Sequence, residues 1–249
     1  MQSRGATPVR RAGARMGFVQ EHSIKVLCLD IDGTLYPKRM LNLRMMRSVF
    51  PSLLLGLRFN AVRQKYRLDQ EVESTKPANR EGLLTRQANL MLEQFGKPVT
   101  EGNTLLMRKR IDDQFYDAWK RSFLTITAFA HMREALAMAK RQGLTIGVFS
   151  DFPVAQKLQT LGIADLVDFS LSSEDSGYLK PSPKAFAYLL EHVDASPEEV
   201  LYVGDSYSKD CQGAKRAGMH SALLTSSRKR FPDADLVISS WKEFISLVF

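Results

Sequence analysis

The sequence predicts an α/β fold, a parallel sheet covered on both faces by helices and interrupted after its first strand by an all-helical module. Three observations carry this expectation. Residues 24–29 form a short apolar run that ends in Asp30-Ile31-Asp32-Gly33, the pattern of a buried strand stopping at a turn. Between residues 38 and 123 apolar residues recur at helical spacing and no convincing strand interrupts them. Beyond residue 130 short apolar strands alternate with helical segments, an order that implies parallel pairing through helical crossovers.

The first strand, 24–29, belongs to the same sheet as the later ones, so the helical module is an insertion. Within it Met40, Leu43, Met46, Val49 and Phe50 lie on one helical face, and Pro51-Ser52 breaks and restarts the helix. Further helices are expected over 52–66, 80–95 and 104–122. Then follow a helix over 130–142, a strand over 144–149, a helix over 154–161 and a strand over 168–171. A helix over 183–192, a strand over 200–203, a helix over 209–217 and strands over 221–224 and 236–238 complete the pattern. The expected organisation is a disordered basic arm over 1–21, an α/β core from 22–37 and 125–249, and a helical insert over 38–124.

A chain of 249 residues with 44% hydrophobic and 25% charged residues is long enough for one large or two modest globular domains. No apolar run approaches a membrane span; the longest candidate, 49–57, is broken by Pro51. Two cysteines, Cys28 and Cys211, imply no disulfide framework and fit a cytoplasmic setting. The net charge of +8 is unevenly placed. Residues 1–20 carry four arginines and no acid, and 38–124 carry 17 basic and 9 acidic groups, leaving the rest of the chain acidic. Residues 38–68 alone hold eight basic groups and no acid, among them Arg44, Arg47, Arg58, Arg63, Lys65 and Arg67. Such a run is either a solvated helical face or a set of cations overhanging the site to attract an anionic, phosphorylated substrate. The lack of interleaved surface aromatics argues against a dedicated nucleic-acid binder.

The chemistry concentrates at strand ends. In an extended chain residues two apart point the same way, so Asp30 and Asp32 can converge beyond the first strand, where open α/β sheets bind ligands. Two anions held together there call for a cation or a shared proton. The strand over 144–149 ends in Ser150-Asp151, Lys180 follows in Gly177-Tyr178-Leu179-Lys180-Pro181, and the strand over 200–203 ends in Gly204-Asp205 with Asp210 five residues on. Parallel strands present these ends to one edge. An acid pair, a hydroxyl, a lysine and a second acid cluster suit a divalent cation and a phosphate.

DIDGT at 30–34, Ser150 after an apolar strand, Lys180 in GYLKPSPKAF and GDSYSKD at 204–210 occur in the order of the haloacid dehalogenase-like superfamily, which the chain resembles over 22–37 and 125–249. That family consists of hydrolases, mostly phosphatases, with a Rossmann-like parallel core; the insert looks like the helical cap of its phosphoglycolate-phosphatase-like members. The resemblance implies that Asp30 is the nucleophile, forming an aspartyl-phosphate, and that Asp32 is the general acid and base. It implies magnesium held by Asp30, the backbone carbonyl of Asp32 and Asp205, with Asp210 orienting a bound water or Lys180 from behind. Ser150 and Lys180 would bind the phosphoryl oxygens, with Thr34 and the amide of Asp151 as lesser contacts.

The expected activity is magnesium-dependent hydrolysis of a small phosphate monoester, such as a nucleotide, sugar phosphate or phosphoglycolate-like compound. Members that cleave carbon–halogen bonds typically lack an acid two residues after the nucleophile, so Asp32 argues for phosphate esters. Leu35-Tyr36-Pro37 is similar to a pyrimidine-nucleotidase-like subgroup, which commonly has Asn where this chain has Gly33. The alternatives are a phosphomutase of the same family and a non-catalytic protein that binds an anionic partner through its basic insert. His22, His131, His192 and His220 fall outside the motifs and read as ordinary; Met40, Met45 and Met46 read as packing.

Overall fold

The computed structural model describes residues 16–49, 53–72, 79–154 and 156–249. Six parallel strands, β1 (Val26–Leu29), β2 (Thr145–Ser150), β3 (Phe169–Ser172), β4 (Val200–Gly204), β5 (His220–Leu224) and β6 (Leu236–Ile238), form one sheet in the order β3-β2-β1-β4-β5-β6. β1 is central and wholly buried, and its last residue, Leu29, pairs with Val148 on one side and Val203 on the other. From β1 the chain builds outward through β2 and β3, then crosses back to add β4, β5 and β6 on the opposite side. That reversal opens a crevice at the carboxyl end of β1.

Around the sheet lie α1 (Phe18–Glu21), the inserted helices α2 (Lys38–Val49), α3 (Leu53–Asp69), α4 (Arg80–Gln94), α5 (Glu101–Ile111) and α6 (Asp117–Phe123), and then α7 (Met132–Arg141), α8 (Lys157–Thr160), α9 (Pro183–Leu190), α10 (Gln212–Arg216) and α11 (Trp241–Val248). Successive β1 side chains serve opposite faces. Leu27 and Leu29 pack in a cluster with Met132 and Leu136 of α7 and with Trp241 and Phe244 of α11. Val26 and Cys28 pack with Phe149, Phe186 of α9 and Tyr202. The insert has a core of its own from Phe59, Val62, Tyr66, Leu83, Met91 and Ile111, and Leu179 of the α/β part joins it.

Polar side chains start several helices where the sequence offers them. The Asn79 side chain accepts from Gly82 N at α4, Thr100 from Asn103 N at α5, Ser182 from Lys184 N at α9 and Ser240 from Glu243 N at α11. The helix expected over 104–122 starts earlier, at the Thr100 cap, and passes through a widened turn at Asp112–Tyr116. The helix expected over 154–161 shrinks to α8.

Two expectations are corrected. The basic arm was to run to residue 21, yet Phe18–Glu21 is a helix whose Phe18 and Val19 are buried in the core, because two apolar side chains outweigh a polar context. The other correction is α11, which the strand-based reading omitted. Residues 1–15 and the break at Pro51 lie outside the described residues. Among those described, no helix is long and apolar enough to cross a membrane.

Candidate active site

Asp30 follows β1 directly and is 6% exposed, its amide donating to Val203 O at 2.9 Å. Its two carboxylate oxygens have different partners: Lys180 Nζ donates to Oδ1 at 2.8 Å and Thr34 Oγ1 to Oδ2 at 3.2 Å. The turn that follows requires glycine. Gly33 has φ +111°, and a Cβ there would overlap the Asp205 carboxylate. At the end of β4 a side chain on Gly204 would likewise overlap Asp210, so both acidic residues press against bare backbone.

Asp30, Asp205 and Asp210 each offer an oxygen, and the three atoms lie within 4.8 Å of one another. Burial pushes the Asp205 carboxyl up to about 6; Asp30 and Asp210 add to this, while Lys38, 3.9 Å away, opposes it. Burial also raises Asp210, against the pull of Lys180. Lys180 is 2% exposed and binds Asp30, Asp210 at 2.7 Å and the Tyr202 hydroxyl at 2.8 Å. Burial would lower its pKa, but Asp210 and Asp30 hold it well above the usual value. Negative charge thus exceeds what the buried lysine neutralises, and the donors are all oxygen, which fits a hard divalent cation.

Asp32 stands apart from this cluster. Both its oxygens accept from Lys157 Nζ, at 3.2 and 3.1 Å, and Oδ1 also accepts from the Tyr36 hydroxyl at 2.5 Å. The carboxylate therefore does not join the other three, and Asp210, expected behind the metal ligands, lies among the clustered acids. Ser150 is buried, 3.5 Å from Asp32 Oδ2, and accepts from Phe152 N. Thr34 is buried with its hydroxyl on Asp30.

Asp151 is committed on both oxygens. Oδ1 accepts from Ser173 Oγ at 2.9 Å and Lys180 N at 3.0 Å, and Oδ2 accepts from Arg67 Nη2 at 2.7 Å. Burial would raise its pKa, yet Arg67 and Lys180 hold it well below the usual carboxylate range. A cavity of about 650 Å³ opens over the site, between the acids and helix α3. Phe59, Leu68, Phe115 and Phe152 are among its apolar lining, and Lys38, Arg63, Arg67, Lys180 and Lys209 are its basic lining.

The order and spacing of these strand-end residues have a counterpart among known proteins: the family model described as haloacid dehalogenase-like hydrolase matches residues 24–218. The chain belongs to the haloacid dehalogenase-like hydrolase family. The hydrolase is 30% identical to a glyceraldehyde 3-phosphate phosphatase of Methanopyrus kandleri, over 79% of this chain and 82% of that protein. It is 32% identical to the mouse haloacid dehalogenase-like hydrolase domain-containing protein 3, over 67% of this chain and 66% of that protein. Solved structures share the fold: a HAD hydrolase of Bacillus subtilis superposes with TM-score 0.63 at 16% identity, covering 90% of this chain and 98% of its own. An L-2-haloacid dehalogenase of Xanthobacter autotrophicus does so with TM-score 0.61 at 17% identity, covering 90% and 98%.

Sequence reasoning missed Lys157 and Lys209 in the hydrolase's site, and did not foresee the structural use of Arg63 and Arg67. Lys157, 4% exposed, lies with its ammonium 3.7 Å from the Trp119 ring centroid, and burial lowers its pKa against the pull of Asp32. The basic run of the insert is spent in part on structure: Arg63 is buried against Glu174 at 2.6 Å and Asp151 O at 2.7 Å, and Arg67 Nε donates to Lys180 O at 3.0 Å. Lys209, hidden inside the last motif, lines the cavity. The spacing of Arg63 and Arg67, one helical turn apart on α3, was the available signal that both face one surface.

Proposed function

We propose that the hydrolase is a metal-dependent phosphatase that cleaves a small phosphate monoester through an aspartyl-phosphate on Asp30, with magnesium as its ion. The observation that carries this reading is the meeting of Asp30, Lys180 and the Asp205 and Asp210 carboxylates at the end of β1, beneath a cavity of small-molecule size. Relatives named phosphatases of glyceraldehyde 3-phosphate, ribulose-1,5-bisphosphate and phosphoglycolate support the substrate class.

Asp30 and Asp205, with the backbone carbonyl of Asp32, would hold the ion. When bound, it supplies positive charge to the phosphoryl oxygens and to the carboxylates around them. The chain's own residues do the rest. Thr34 and Lys180 fix the Asp30 carboxylate for in-line attack on phosphorus, and Lys180 offsets repulsion between that anion and the phosphoryl group. Asp32, positioned by Lys157 and Tyr36, protonates the leaving oxygen and then takes a proton from the water that hydrolyses the acyl phosphate. Ser150 and the Asp151 amide contribute phosphoryl contacts, and Asp210 holds Lys180 in place. The helices over 38–124 act as a cap over the cavity. A cytoplasmic location agrees with two free, buried cysteines whose thiols burial pushes up to about 12.

The test is phosphate release from a panel of sugar phosphates, nucleotides and phosphoglycolate, with and without magnesium, for wild type and Asp30→Asn. Magnesium-dependent release that Asp30→Asn abolishes supports the reading. Release that survives the substitution overturns it.

A further inference from the structure

Of the cations around the cavity, nearly all have a partner. Lys180 is bound to Asp30 and Asp210, Lys157 to Asp32, Arg67 to Asp151 and Lys180 O, and Arg63 to Glu174. Lys38 stands 3.9 Å from Asp205. Lys209 differs. Its backbone amide donates to the Ser206 hydroxyl, but its half-buried ammonium makes no hydrogen bond or ion pair among the described residues. It sits one residue before Asp210, on the turn Tyr207–Cys211 at the cavity wall. The charged groups that act on it are Asp151 and Asp210 on the acidic side and Lys38 and Arg67 on the basic side. Both oxygens of Asp151 are already taken, and Asp210 gives its oxygens to Lys180 and to Ser206 N.

We propose that Lys209, with Lys38 beside it in the cavity wall, is a subsite for a second anionic oxyacid group on the substrate, in addition to the phosphoryl group that is transferred. The inference rests on the phosphatase reading and adds a substrate class to it: phosphate monoesters that carry a carboxylate or a second phosphate. An ammonium group that has lost part of its hydration without gaining a counter-ion is costly to hold, and an incoming anion supplies that counter-ion. On the phosphatase reading the transferred phosphoryl group would be met by Lys180, Ser150 and the ion that Asp30 and Asp205 would hold, so it does not account for Lys209. On the aromatic side of the same cavity the cation, Arg63, is already paired with Glu174.

Matched pairs of substrates test this. 3-Phosphoglycerate and glycerol 3-phosphate differ only in a carboxylate against a hydroxymethyl group; ribulose 1,5-bisphosphate and ribulose 5-phosphate differ in a second phosphate. Wild type favours the doubly anionic member of at least one pair in kcat/KM by roughly tenfold or more, and Lys209→Met brings that ratio towards one. Lys209→Arg keeps it. The pair that responds identifies the oxyacid. A merely structural role would lower both members of a pair together and leave the ratio unchanged, which overturns the inference; so does a wild type without preference in either pair. If wild type releases no phosphate from any compound, the phosphatase reading has failed. Calorimetric affinities for the same pairs, in Asp30→Asn with magnesium and with or without Lys209→Met, then decide the subsite by the same ratio.

Discussion

Lys157 lies 3.1 and 3.2 Å from the two carboxylate oxygens of Asp32 while its ammonium sits over the Trp119 ring. The lysine comes from α8 and the ring from α6, so the end of the insert and the core together set the position of the proposed general acid. Lys157→Met removes this hold and leaves Asp32 to Tyr36 and Ser150. Turnover of alkyl phosphates, which need a proton on the leaving oxygen, falls by roughly 10²-fold, and turnover of p-nitrophenyl phosphate falls far less. Steady-state kinetics on the two substrates, with a thermal melt to verify folding, measures this; equal losses on both would separate Lys157 from the acid's task.

Arg63 and Glu174 form a buried pair at 2.6 Å between α3 and the loop after β3. Removing Arg63 leaves the buried Glu174 with only the partly exposed Arg80, 3.4 Å away, and the Tyr116 hydroxyl, so Arg63→Met lowers stability by up to about 3–5 kcal/mol, read from urea or thermal unfolding. Pairing it with Glu174→Gln recovers part of that loss. A double variant as unstable as the sum of the two singles would mean that the residues are not coupled.

Gly33→Ala forces a side chain into a positive φ and against Asp205. The strain costs about 1–3 kcal/mol. Because the displaced group is a proposed metal ligand, magnesium affinity by calorimetry falls with it. Unchanged affinity would show that Asp205 can move without consequence.

The Asp205 carboxyl has its folded-state value raised from 3.8 to about 6, so the folded protein binds this proton more tightly than the unfolded chain does. Its contribution to stability is therefore present at low pH and is lost as pH rises from about 4 through 6, by at most about 3 kcal/mol. A cation that neutralises the ionised group restores the loss. The magnesium-induced rise in melting temperature is accordingly larger at pH 7.5 than at pH 5; equal rises would contradict the assignment.

The strand ends were legible because their signals are local. The glycines beside Asp32 and Asp205 are written in adjacent residues, but the period of two did not bring the Asp30 and Asp32 carboxylates together, because Asp32 turns to Lys157 and Tyr36 instead. Lys157 was not legible: in PVAQKLQT it reads as a solvated helical lysine, and only the approach of Trp119 and Phe123 from α6 buries it. Arg63 and Arg67 were visible as charges, but their acceptors, Glu174 and Asp151, are 111 and 84 residues away, a separation that no local pattern encodes. α11 was readable in principle from Ser240 followed by Trp241, Phe244 and Val248 at helical spacing. Phe18 and Val19 were too few apolar residues to signal a helix, and they are buried in a core cluster to which α11 contributes Trp241, Phe244 and Val248.

The most direct test of the central claim is to find the phosphoryl group on Asp30. Magnesium-loaded enzyme is mixed with substrate, quenched in acid within one turnover and reduced with borohydride, which converts an aspartyl-phosphate to homoserine; peptide mass spectrometry then locates the product. The account predicts homoserine at position 30 and at no other aspartate. Homoserine at a different position, or none anywhere in an enzyme that turns over under the same conditions, would contradict it.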